Sequence, residues 1–305
     1  MAKVTARRPE NIAGDVFVDE TCIDCDTCRW MAPNIFHRAG DKSAVYHQPD
    51  SSEARQQALQ ALLACPTASI GTIAPPKDIK TAQTSFPIEL LPGVFHCGYH
   101  SHNSYGAASY FVVREAGNIL IDSPRFVPPL VKQLEALGGV QFMYLTHQDD
   151  VADHQKFHDR FGCDRILHED DITKDTAGVE VKLTGTEAVA ISPDFTVIPV
   201  PGHTKGNTVA LYETGDHTKV LFSGDHLAWS PLLNHLYAFH RFCWYDWNLQ
   251  IESMKYLAQF DFEWVLPGHG RRYSGAIAET RQQMEQCINW MKSPDITNST
   301  SSLST

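Results

Sequence analysis

The segment CIDCDTC places Cys22, Cys25 and Cys28 at C-x2-C-x2-C spacing, and Cys65 stands directly before Pro66. Nothing else in the chain restricts its fold as tightly. Three thiolates on one tight loop plus a distant fourth can wrap a cubane cluster, one thiolate per iron. A structural zinc site is the alternative, but such sites usually pair two C-x2-C knuckles, and a three-plus-one set ending in Cys-Pro fits that poorly. The chain has eight cysteines, enough for four disulfides. Three of them are too crowded for a disulfide framework, and the start MAKVTARRPENIAGD lacks the apolar stretch of a secretion signal. A reducing compartment is therefore expected, cytoplasm or organelle stroma. Cys97, Cys163, Cys243 and Cys287 are scattered and are expected to be small buried hydrophobes.

The cysteine pattern resembles the bacterial ferredoxins. In their two-cluster form the run continues C-x3-C-P. Here it reads CRWMAP, with Ala32 where the next cysteine would stand. The resemblance implies one [4Fe–4S] cluster on Cys22, Cys25, Cys28 and Cys65. It defines residues 1–75 as a small α+β ferredoxin-like domain. Within it DVFVDE reads as a strand and DSSEARQQALQALLAC as a helix, with Asp50 and Glu53 as a capping box. The polar, Pro-bounded stretch 76–87 reads as a linker. Residues 88–292 form a second domain, and the polar tail 293–305 is expected to be disordered.

The second domain mixes strands and helices, which suggests a layered α/β architecture. Four of its segments share one design, an apolar strand running into a loop with His or Asp: MYLTHQDDVADH, IPVPGHTKGN, LFSGDHLAW and WVLPGHGRR. Strand ends along one sheet edge bring such loops together, and converging imidazoles and carboxylates are metal ligands by default. Each loop alone is a weak signal, and the four in this order are a strong one.

Order and residues resemble the metallo-β-lactamase fold, whose members carry T-H-x-H-x-D-H, then G-H-T, then G-D with a bridging Asp, then G-H. The resemblance covers about residues 88–275 and implies an αββα sandwich with a one- or two-metal site. Carried over, it matches His147 to the first His, Asp153 and His154 to the Asp-His pair, and His203, Asp225 and His269 to the rest. Asp153 and Asp225 then stand as the catalytic carboxylates. The second His of the first loop is missing, and Asp149 occupies its place. The Asp-His pair comes two residues late, so Asp150, four residues before His154, competes with Asp153 as the first-loop ligand. Exchanging imidazole for carboxylate makes the site harder and favours iron or manganese over zinc. In this respect the loop resembles the flavodiiron proteins, which hold two irons and reduce dioxygen or nitric oxide.

The formal charge of −11 carries no basic cluster for nucleic acid. The apolar runs fall far short of the ~18 residues of a membrane helix. Neither partner is expected. The favoured reading is an oxidoreductase. An electron-donor protein or reductase feeds the cluster, which feeds one or two Fe ions that reduce a small-molecule substrate. Zn or Mn remain alternatives for the second site. A metal-dependent hydrolase of an ester, thioester or lactone, with a structural or sensory cluster, is the second reading. A non-enzymatic electron carrier or redox sensor is the third. A homo-oligomer stays open. HRFCWYDWN (240–248) either walls a pocket or belongs to the core, while His100 and His102 read as a surface loop.

Overall fold

The computed structural model describes residues 2–293, so the tail expected to be disordered lies, apart from Ser293, outside the described residues. The chain divides into two compact units. One comprises the residues up to 113 together with 123–139, and the other 114–122 together with 140 onward.

In the first unit, strand Val16–Val18 pairs antiparallel with Ile70–Thr72, and Phe36–Ala39 pairs with Lys42–Val45. The helix Ser52–Ala64 is capped one residue later than the sequence suggests. Ser51, in extended conformation, accepts from the Ala54 N–H at 3.1 Å, so the Asp50 box does not form. Ala58 and Ala61 of this helix pack on Val16, Val18, Ile35, Phe36 and Val45, and Cys28 and Cys65 belong to the same cluster. The cysteines thus project from an apolar floor.

The stretch read as a linker is not a free tether. It contains the helix Ile79–Thr84, with Ala82 and Phe86 buried. Arg55 donates to Asp78 at 3.0 Å and Gln60 to Ser85 at 2.9 Å, which fastens it to the preceding helix. Its composition concealed this, because two apolar side chains suffice to bury one face. The unit continues through the antiparallel strands Ile88–Leu91, Val94–His96 and Tyr110–Val112 and the helix Pro128–Ala136. Arg125, just before that helix, donates to the carbonyls of Leu63 and Cys65 at 2.6 and 3.3 Å.

In the second unit, Ile119–Ile121, Phe142–Tyr144, Asp164–His168 and Val181–Leu183 lie side by side and parallel. Ile119–Ile121 and Phe142–Tyr144 are short and apolar, as expected of parallel strands buried on both faces, whereas Asp164–His168 and the partly exposed Val181–Leu183 carry charged residues. A six-stranded sheet follows the order Val189–Ser192, Phe195–Pro199, Thr208–Glu213, Lys219–Gly224, Trp264–Pro267, Tyr273–Ser274. It is antiparallel except between Lys219–Gly224 and Trp264–Pro267. The two sets of strands meet through Tyr144, whose hydroxyl lies 2.7 Å from Thr208 Oγ1 and whose ring packs on Phe195. Helices Trp247–Leu257 and Ile277–Met291 cover the six-stranded sheet through Ile251, Met254, Leu257, Met284 and Cys287. Among the described residues no helix is long and apolar enough to cross a membrane.

The His203 loop depends on a glycine. Gly202 has φ +146°, and a Cβ there would come within 2.4 Å of Gln250 Cα and 2.6 Å of Gln250 N, which are backbone atoms that cannot swing away. Gly202→Ala is expected to destabilise the protein by about 2 kcal/mol or more. Gly215 faces open space, so Gly215→Ala should change stability by less than ~0.5 kcal/mol. Equilibrium urea unfolding of the two variants distinguishes them, and equal losses would contradict this packing.

Candidate functional site

Every histidine-bearing loop of the second unit leaves the carboxyl end of a strand. Asp122 follows Ile119–Ile121, His147 follows Phe142–Tyr144, and Asp225 and His269 follow the parallel pair Lys219–Gly224 and Trp264–Pro267. The loops are stitched together by backbone hydrogen bonds, Gly268 N to Gly224 O at 2.8 Å and Thr208 N to Thr146 O at 2.9 Å. Gly224 lies so close to Thr146 that a Cβ would meet its Oγ1 at 2.5 Å.

Two groups of side chains can each hold a metal ion: His147, His203 and Asp225, and Asp150, Asp225 and His269. Asp225 belongs to both. Asp149 stands beside the first group, its Oδ2 lying 3.9 Å from His147 Nε2 and 3.8 Å from His203 Nε2. Asp225 Oδ2 is at the same distances from those two nitrogens, 3.9 and 3.8 Å, and Asp225 Oδ1 is 2.8 Å from His269 Nδ1.

The electrostatics of this arrangement call for cations. Burial, then the charges of Asp225, Asp122 and Asp149, push the Asp150 carboxyl far above its ordinary range. Burial raises Asp149 too. Asp122 is raised to about 7 by burial, although Thr146 donates to it from both N–H and hydroxyl. Burial works against the Asp225 carboxylate as well, but the charge and hydrogen bond of His269 hold it below its usual range. Burial and the neighbouring His203 push His147 down to about 3, so it is a neutral imidazole with a lone pair available. His147 Nε2, His203 Nε2 and Asp150 Oδ2 are buried without a hydrogen-bond partner. Such atoms are costly unless something binds them. Gly268 leaves the space, since a Cβ there would meet Asp225 Oδ1 at 2.8 Å and Asp150 Oδ2 at 2.9 Å. The residues present therefore fit one ion held by His147, Asp149, His203 and Asp225, and another held by Asp150, Asp225 and His269.

The remaining sequence candidates stand elsewhere. Asp153 pairs with Lys156 at 2.7 Å, and His154 Nδ1 receives a hydrogen bond from Arg165 at 3.0 Å. Neither residue joins a ligand group, which corrects the expectation that both are ligands and that Asp153 is catalytic. The helix begins at His154, so Asp150 lies before it and shares no helical face with that residue. His226 is fully buried, both ring nitrogens lack partners, and it too lies outside both groups. In the aromatic segment Trp244 and Tyr245 are exposed, and their N–H groups hold the His203 carbonyl at 2.9 and 3.2 Å. Tyr245 lines a pocket of about 160 Å³ with His168, Lys205, Asn207 and Leu249, so this stretch walls a pocket.

Sequence reasoning missed two positioning residues. Asp122 holds Thr146, whose hydroxyl in turn meets His147 Nδ1 at 2.9 Å and leaves Nε2 for the site. Asp171 accepts from Gln148 N at 3.0 Å, Gly206 N at 2.7 Å and the Thr204 hydroxyl, tying the first loop to the second. Asp122 ends the apolar run ILI, a strand-end signal that was legible. HEDD around Asp171 carries none.

In the first unit Cys22, Cys25, Cys28 and Cys65 line one cavity with Thr27, Ser43, Thr67 and Ser69. Burial pushes the Cys25 thiol up to about 12 and Cys28 well above its ordinary range. Hydrogen bonds work the other way: Thr27 at Cys25, Ser43 at Cys28, and Ser69 N to Cys65 Sγ at 3.3 Å. Three thiols on one tight loop and a fourth in the same cavity suit a cluster, one thiolate per iron. Of the other cysteines, Cys97, Cys163 and Cys287 are buried as expected, whereas Cys243 is half-buried and directs its thiol at the Gly202 carbonyl. His100 is also buried, contrary to the surface-loop expectation.

Residues 18–72 match the family described as the 4Fe-4S single cluster domain of Ferredoxin I. Solved structures similar to the chain include the metallo-β-lactamase FIM-1 from Pseudomonas aeruginosa in its mono-zinc form. It is 16% identical, with 66% of this chain and 93% of that one covered at a TM-score of 0.51. A metallo-β-lactamase from Hirschia baltica is 14% identical, with 66% and 96% covered at 0.50. DIM-1 exposed to ceftazidime is 18% identical, with 65% and 95% covered at 0.51. The chain has the metallo-β-lactamase fold. It is an α/β protein in which that fold accompanies a ferredoxin-like 4Fe-4S domain. No curated protein matches the sequence.

Two outcomes follow. Asp225→Ala should lose most of the metal bound by the second unit while far-UV circular dichroism stays unchanged. Asp153→Ala and His154→Ala should keep it, and elemental analysis that shows the reverse would contradict the ligand groups. Purified without oxygen, the protein should be brown with about four sulfides per chain, and Cys65→Ala should be colourless. A colourless wild-type protein carrying zinc on these cysteines would contradict the cluster.

Proposed function

We propose that the chain is an iron-dependent oxidoreductase in which a [4Fe–4S] cluster passes electrons to a non-haem iron centre that reduces a small substrate, dioxygen or nitric oxide being the natural candidates. The observation that carries this reading is Asp149. Its carboxylate faces both His147 Nε2 and His203 Nε2, at 3.9 and 3.8 Å, where the resembling zinc loops have an imidazole. Three carboxylates and three imidazoles then surround the two positions. Oxygen-rich sets of this kind suit iron or manganese better than zinc.

Iron at these positions would supply one-electron redox chemistry and a binding place for a small substrate. The chain supplies the rest. Asp225, shared by both groups, would hold two ions close together. Thr146 keeps the His147 proton on Nδ1, so that Nε2 faces the site. Burial of His147, Asp150 and His203 strengthens the charge interactions of those groups, while Asp149 leaves the site open to solvent on one side. A cluster in the same polypeptide delivers single electrons, which hydrolysis does not use. An electron-donor protein or reductase must supply them. A compartment that keeps thiols reduced, cytoplasm or organelle stroma, suits eight free cysteines.

The second reading is a metal-dependent hydrolase of an ester, thioester or lactone. Its support is the likeness to metallo-β-lactamases, one of them in a mono-zinc form. It leaves the cluster without a part in catalysis.

Stopped-flow reoxidation separates the two. The protein is reduced anaerobically, mixed with dioxygen or nitric oxide, and followed by cluster absorbance. Fast reoxidation should slow at least about tenfold in His147→Ala with the cluster intact, as expected when an essential redox metal is lost. Esterase or thioesterase turnover on zinc, independent of cluster oxidation state, would favour the hydrolase instead.

A further inference from the structure

The loop over the cysteines carries two buried histidines that lie outside the matched ferredoxin residues 18–72. His96 ends the strand Val94–His96, and His100 follows four residues later. Thr27, His96 and His100 are each 1% exposed. His96 Nε2 and His100 Nε2 are 2.8 Å apart. His100 Nδ1 lies 2.7 Å from the Gly106 carbonyl and 3.1 Å from Thr27 Oγ1. Thr27 Oγ1 lies 3.4 Å from Cys25 Sγ. The Trp30 ring packs against both imidazoles, at 5.1 and 5.9 Å between centroids. Gly106 allows the approach, since a Cβ there would meet Cys25 Cβ at 2.9 Å and Sγ at 3.2 Å.

The chemistry of these atoms fixes the direction of the chain. A carbonyl oxygen only accepts, so the proton between Gly106 and His100 sits on Nδ1. That N–H also faces Thr27 Oγ1 and satisfies one of its lone pairs. A thiolate that ligates iron has no proton and only accepts. The Thr27 hydroxyl proton is therefore directed at Cys25 Sγ. With His100 neutral, its Nε2 is an acceptor and His96 Nε2–H donates to it. The four groups form one line of donors, His96 to His100 to Thr27 to Cys25.

We propose that this line sets the reduction potential of the cluster, with Thr27, His100 and His96 as positioning residues that act through Cys25 Sγ. The proposal rests on the cluster reading. An added electron increases the negative charge on the ligating sulfurs, and a donor aimed at one of them stabilises the reduced state more than the oxidised one. Hydrogen bonds to sulfur are a principal control of cluster potential. Burial removes the competing water, and each donor polarises the next. Ser69 N and Ser43 serve Cys65 and Cys28 from within the ferredoxin segment. The line to Cys25 recruits residues from outside it, over a separation of 73 residues.

The test is a mediated redox titration of the intact anaerobic protein, read by visible absorbance and by electron paramagnetic resonance of the reduced cluster. Thr27→Val removes the donor and keeps the shape, so its midpoint should move to a more negative potential. Thr27→Ser should restore the wild-type value. His100→Leu should shift in the same direction by less, and the double variant should shift no further than Thr27→Val, because His100 acts through Thr27. An unchanged midpoint in Thr27→Val with a full cluster overturns the proposal. If Thr27→Val does not assemble a cluster, His100→Leu decides: a negative shift supports the proposal and an unchanged midpoint overturns it. A wild-type protein with no [4Fe–4S] signal would overturn the cluster reading itself, which is a different failure.

Discussion

Four carboxylates, Asp122, Asp149, Asp150 and Asp225, stand at the strand ends of the second unit within reach of one another's charge. Burial removes the water that would solvate Asp122, Asp150 and Asp225, while Asp149 stays exposed at the rim, and neighbouring charges raise the cost of ionising Asp150 further. Part of that cost is met by the protein, through Thr146 at Asp122 and His269 at Asp225. The rest, centred on Asp150 and on the bare nitrogens of His147 and His203, is left for a cation to balance. The glycines next to these residues follow from the same constraint. Gly224 and Gly268 bring backbones close enough for the carboxylates to share a space that a Cβ would fill.

Much of this was legible in the sequence. Apolar strands ending in His or Asp announced His147, His203, Asp225 and His269, and the structure brings all four together. The first loop was harder. Family spacing pointed to Asp153 and His154, but spacing counts residues and not turns. Ala152, with φ +21°, precedes a helix whose first residue is His154, and its imidazole is directed to Arg165. Asp149 and Asp150 precede that turn and stay with the strand end. Asp150 joins one ligand group and Asp149 faces the two imidazoles of the other, an outcome that a one-to-one alignment has no place for.

The first unit shows the same division. The cysteine spacing stated the cluster site outright, because thiolates on a tight loop have few other uses. His100 and Asp171 were illegible for a common reason. Each acts through contacts made across 30 or more residues, His100 with Thr27 over 73 and Asp171 with Gly206 over 35. Such contacts come from tertiary packing, and local pattern carries no trace of them. The helix Ile79–Thr84 escaped notice because its buried face is so small.

The account turns on which metal the second unit holds beside a cluster in the first. Mössbauer spectroscopy of protein purified anaerobically from cells grown on ⁵⁷Fe counts both kinds of iron in one spectrum. The account predicts the doublet of a [4Fe–4S] cluster together with a separate signal from iron bound by nitrogen and oxygen, near one third of the total if about two ions accompany about four cluster irons. Cluster iron alone, with zinc filling the ligand groups around Asp225, would contradict it.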